Sequence, residues 1–106
     1  MRALSDKAFD FNIRVMELVK YLEEEQRPFP MANRLLECAE GMCVCLRTAC
    51  HLPKNASELG MQAFRLALDA ECLLELMVKT GFMNDLQSVP ILTDCRYLKE
   101  GIKSIS

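Results

Sequence analysis

The sequence has no tryptophan, a single histidine and only four glycines, no two of them close together. Scattered glycines exclude a glycine-rich phosphate loop. One histidine, His51, excludes the paired Glu-x-x-His motifs of bundle di-iron centres, and Arg47 and Thr48 stand where its partner glutamate would lie. No run approaches the ~20 apolar residues of a membrane span, so no membrane partner is expected. No stretch alternates apolar and polar residues as a half-buried strand does. Charge of one sign is missing too: 13 Lys and Arg against 15 Asp and Glu give a net charge of −2. A dedicated nucleic-acid binder of this size ordinarily carries a basic excess that displaces counterions from phosphates. The opening stretch Met1-Arg2-Ala3-Leu4-Ser5-Asp6-Lys7 lacks the apolar core of a secretory signal, and a cytoplasmic location is expected.

What is present is a chain of 106 residues, 51% hydrophobic and 26% charged, the size and composition of one globular domain spanning 1–106. Ala8, Phe11, Val15, Leu18 and Leu22 recur at the spacing of one helix face, and Phe9, Ile13 and Met16 form a second row beside them. Arg27-Pro28-Phe29-Pro30 ends this helix, because proline lacks the amide donor and clashes with the preceding turn. In the next segment Met31, Leu35, Cys38, Met42, Cys45 and Ala49 make one row, and Leu36, Cys43, Leu46 and Cys50 a second. A helix apolar on most sides must be covered on most sides. Gly41 within it admits a close neighbour.

The third segment opens with Asn55 and Glu58 at capping-box spacing, and Leu59, Ala63, Leu66, Ala70, Leu73 and Met77 form its core stripe. Lys79-Thr80-Gly81 is its stop signal. In the fourth, Ile91, Cys95, Leu98, Ile102 and Ile105 repeat the pattern. Its beginning has two readings: Ser88 caps it with Pro90 in the first turn, or Asn84 caps a longer helix that kinks. The longer version is the expectation. Four helices, at about 5–26, 31–51, 56–80 and 84–105, joined by short connections, predict an all-α, antiparallel up-down-up-down four-helix bundle.

The chemistry that such a bundle offers is limited. Six cysteines fall inside helices and read as small buried hydrophobes in a reducing compartment. Cys43 and Cys45 point about 200° apart around a helix, so one metal cannot take both, and no metal or other cofactor is expected. Cys50 and His51, about 100° apart, are poorly placed for proton transfer. The pairs Glu37 with Glu40 and Glu71 with Glu75 read as solvated faces or interhelical ion pairs, so no catalytic residue is expected.

The order of segments resembles a family. Ala8-Phe9-Asp10-Phe11-Asn12-Ile13-Arg14-Val15-Met16-Glu17-Leu18-Val19-Lys20-Tyr21-Leu22 is similar to the opening helix of the bacterial "four helix bundle protein" family, first noticed in intervening sequences of ribosomal RNA genes. Ala67-Leu68-Asp69-Ala70-Glu71, Leu74 to Leu76 and Thr80-Gly81-Phe82-Met83 resemble its third helix and turn. Asp94-Cys95-Arg96-Tyr97-Leu98 with Lys103-Ser104-Ile105 resembles its last helix. The second helix departs from the family pattern, with Cys45 where an asparagine would fall. The resemblance implies a homo-oligomer, often a pentameric ring. A related branch serves reverse transcriptases of diversity-generating retroelements as an accessory protein that binds the enzyme and nucleic acid.

The functional expectation is therefore a non-enzymatic, self-associating scaffold or adaptor. Its candidate contact surface is Phe9, Ile13, Met16, Leu36, Cys43 and Leu46, the second rows that one bundle core does not need. The alternative is a nucleic-acid or reverse-transcriptase accessory factor. Its basic collar, repeated around an oligomer, would draw on Arg14, Arg34, Arg47, Arg65 and Arg96.

Overall fold

A computed structural model describes all 106 residues. It contains α1 (Arg2–Glu24), α2 (Ala32–His51), α3 (Ala56–Lys79) and α4 (Asp85–Lys103), with a short 3₁₀ turn at Pro53–Asn55. The helices form a rod of 44 × 20 × 19 Å. α1 packs on α2, α2 on α3, α3 on α4 and α4 back on α1, and no Cα atoms approach within 8 Å across the diagonals. Pairings along each seam run in opposite directions. Arg34 meets Asp69 while Cys45, further along α2, meets Gln62, earlier in α3. The predicted antiparallel bundle is what forms.

The core fills this ring. Phe11, Val15, Leu22, Leu35, Met42, Leu46, Leu74, Met77, Leu98 and Ile102 are all enclosed. A domain this small hides only about 60–70% of its unfolded surface, so each of these contacts matters. Gly41 lies against Leu66, and a Cβ there would come within 2.6 Å of the Leu66 Cδ1. The close approach expected at that glycine is present.

α1 and α3 end alike. After α1, Gln26 takes φ 58° and the Arg27 amide reaches back to the Leu22 carbonyl at 2.9 Å. After α3, Gly81 takes φ 85° and the Phe82 amide reaches the Met77 carbonyl at 2.8 Å. Both are left-handed caps that satisfy otherwise orphaned carbonyls. Proline alone was expected to stop α1. The turn at Gln26 does so before Pro28 is reached. The two connections meet at the same end of the rod, where the rings of Phe29 and Phe82 pack edge to face at 5.3 Å.

The capping box falls at a different helix from the one expected. The Asn55 side chain makes no cap bond to α3. It is Asn84 that accepts from the Gln87 amide at 2.7 Å while Gln87 accepts from the Asn84 amide at 3.1 Å. Asn55 follows a 3₁₀ turn, and its backbone at φ −101°, ψ 8° lacks the extended geometry that Asn84 has at φ −84°, ψ 169°. α4 thus begins at Asp85 and runs on through Pro90, as the longer version predicted. The carbonyl that Pro90 leaves without a helical donor belongs to Leu86, the most exposed apolar residue of the chain at 83%.

Candidate self-association surface

A helix turns about 100° per residue, so the buried row Ala8, Phe11, Val15 and Leu22 fixes where the rest of α1 points. Phe9, Ile13 and Met16 fall on the opposite, outward side and are 44%, 42% and 55% exposed. Asp6 and Lys20 lie two turns before and after Ile13 on the same side, also exposed. The Arg47 guanidinium of α2 sits 5.1 Å from the Phe9 ring centre, a cation–π contact that holds it on this face.

The α2 half of the predicted surface is a correction. Leu46 is wholly enclosed, Cys43 is buried and Leu36 is half-buried. α2 packs between α1 and α3, the two most extensive seams of the bundle, so its second apolar row is covered within the subunit. Only α1 carries the surplus that the sequence predicted for both helices. A further outward row escaped notice: Met61, Leu68 and Leu76 on α3, 52%, 43% and 39% exposed. The signal was their spacing of seven and eight residues, masked by reading α3 as a single core stripe.

The five arginines do not gather on one face. Arg14 pairs with Asp94 across α1 and α4 at 2.8 Å, and Arg34 with Asp69 across α2 and α3 at 2.6 Å. Arg96 bridges Glu71 at 2.9 Å and Glu75 at 3.1 Å across α3 and α4. Arg47 lies on Phe9, and Arg65 is exposed beside Lys54, Glu58 and Met61. Each of the first four occupies a different seam.

Glu71 and Glu75 are interhelical ion-pair residues, one of the two readings given to them. Burial alone raises the Glu71 pKa. Hydrogen bonds from Lys99, at 3.0 Å, and from Arg96 outweigh it and hold the carboxyl below its ordinary range. A depressed acid contributes stability at neutral pH and loses it as pH falls through its folded-state pKa. Glu71→Gln is therefore expected to destabilise the fold at pH 7 by roughly 1–2 kcal/mol. The gap from wild type should shrink toward zero in acid, as read by denaturant unfolding at both pH values.

The cysteines divide. Cys38, Cys43 and Cys95 are buried, and burial pushes the Cys95 thiol up to about 12. Cys50 and Cys72 are exposed, so the reading of every cysteine as a core residue fails for these two. They end up outside because Cys50 is in the last turn of α2 and Cys72 is on the outward side of α3. No three His, Cys, Asp or Glu side chains converge as metal ligands would. No helix is long and apolar enough to cross a membrane.

No protein-family model and no curated protein matches the chain. The subunit does have a counterpart among solved structures. A Bacteroides thetaiotaomicron protein of unknown function, from the S23 ribosomal protein family and solved at 1.70 Å, superposes with a TM-score of 0.88. Identity is 26%, and the match covers 96% of each chain. That likeness is consistent with a small bacterial helical-bundle family and brings no activity with it.

Proposed function

We propose that the chain is a non-enzymatic scaffold that works as a homo-oligomer, joined through the outward face of α1. The observation that carries this reading is the exposed row Phe9, Ile13 and Met16, three large apolar side chains in line on one helix. Grouped apolar exposure of this kind marks an association surface, whereas scattered exposure does not.

The partner best matched to the row is a second copy of the same helix. A two-fold axis through Ile13 places α1 antiparallel to its mate, and Asp6 and Lys20 are equidistant from that residue. Asp6 then faces the partner's Lys20, and Lys20 the partner's Asp6. A surface must complement itself in this way to form a two-fold contact. Such contacts are the commonest in homo-oligomers, and the reading prefers them to the five-membered ring that the family resemblance implies. The basic-collar alternative loses support, since Arg14, Arg34 and Arg96 are already paired with carboxylates.

Charge reversal tests the pairing. Asp6→Lys or Lys20→Asp alone should weaken association, each change acting twice by symmetry, by roughly fivefold. The double variant should restore most of it in sedimentation equilibrium. Single variants that associate as tightly as wild type would refute the two-fold arrangement.

A further inference from the structure

Two serines are almost wholly enclosed, and their hydroxyls fare differently. Ser88 is 5% exposed and donates to the Asp85 carbonyl at 2.7 Å. Ser5 is 4% exposed, and no protein group bonds to its hydroxyl. Every fully sealed side-chain oxygen or nitrogen in the molecule has a partner. The Ser5 hydroxyl is therefore not sealed: it opens on a cleft of about 360 Å³ between the first turns of α1 and the last turns of α2. Arg2, Asp6, Arg47, Cys50 and His51 make up the rest of the lining.

Two of the chain's unpaired cations line this cleft. Arg14, Arg34, Arg96 and Lys99 are all held in ion pairs. Arg2 and Arg47 are in none, although Asp6 lines the same cleft. Arg47 is exposed, its guanidinium over the Phe9 ring at 5.1 Å. A planar guanidinium matches the oxygens of a tetrahedral oxyanion, with two N–H groups for two oxygens. The Ser5 hydroxyl adds a donor at the floor, where burial strengthens it.

We propose that the cleft binds a phosphate group, as inorganic phosphate or a phosphate monoester presents it. Arg47 and Arg2 take the charge, Ser5 donates from below, and the His51 ring closes the rim. Asp6, which also lines the cleft, is paired with the partner's Lys20 in the proposed two-fold contact.

Titration calorimetry of the full-length chain with sodium phosphate, and with sodium chloride at matched ionic strength as the control, tests the site. A nucleoside monophosphate and an oligonucleotide without terminal phosphates complete the set. Saturable phosphate binding is expected, with the monophosphate at least as tight as phosphate. Arg47→Ala should weaken phosphate by about tenfold and Ser5→Ala by about fivefold, while Arg65→Ala on the far helix leaves it unchanged. Arg47 is exposed, so its variant keeps the fold and stands alone even if Ser5→Ala loses helicity. The proposal is overturned by an absence of saturable phosphate binding, or by unchanged phosphate affinity in Arg47→Ala. Binding of the oligonucleotide alone also overturns it.

Discussion

Ile13→Asp is expected to separate the assembly into single subunits without unfolding them. Ile13 lies at the centre of the outward row on α1, is 42% exposed and is not among the enclosed core residues. On the proposed axis the two copies of residue 13 face each other. The substitution therefore places two carboxylates together in a desolvated contact and removes two isoleucines from it. Central contacts of this kind dominate association energy, and an unpaired buried charge adds several kcal/mol of penalty. The expected rise in dissociation constant is on the order of 100-fold or more. Helicity by far-UV circular dichroism should stay close to wild type, since aspartate costs an exposed helix position only about 0.5 kcal/mol. Loss of helicity together with loss of assembly would place Ile13 in the subunit core instead.

Leu46→Ala should do the reverse. Leu46 shared a predicted surface with Ile13, but it is wholly enclosed in the bundle core. Truncation removes the transfer energy of the lost methylenes and leaves a cavity that neighbours fill only in part. The expected loss is about 2–5 kcal/mol, from a total that for domains of this kind is about 5–15 kcal/mol. Each kcal/mol lowers Tm by about 4–8 °C at this size. The two variants separate the subunit's stability from its association. Ile13→Asp changes the mass and spares the fold; Leu46→Ala lowers Tm and, wherever the subunit stays folded, spares the mass. A Leu46→Ala protein as stable as wild type, but dissociated, would return that residue to the surface.

Helix class and order were legible because three-four spacing needs only local geometry. Ala8, Phe11, Val15 and Leu22 on α1, and Cys95, Leu98 and Ile102 on α4, were read correctly as core from spacing alone. The α3 stripe was read a little off its axis. Ala63, Ala70, Leu73 and Met77 are buried as expected, but Leu59 and Leu66 are half-buried, and Ala67 and Leu74 are enclosed as well. Spacing gives the width of an apolar band, but the neighbouring helices decide which part of the band faces inward. The same limit explains the error on α2. Its two apolar rows looked like a surplus until α1 and α3 were placed on either side. A capping box was read only at Asn55 and Glu58; that one forms at Asn84 instead depends on the backbone angle of the residue, which spacing does not give. The cleft around Ser5 was not legible at all, because it joins the start of α1 to the end of α2, about 45 residues away in sequence.

The most direct test is the mass of the unmodified protein by light scattering at micromolar concentration. An α1 face covered by a second copy predicts a particle of at least twice the 12.1 kDa chain mass, falling to one chain in Ile13→Asp. A wild-type particle of 12.1 kDa at every concentration would mean that Phe9, Ile13 and Met16 stand in water unaided. The scaffold reading would then be wrong.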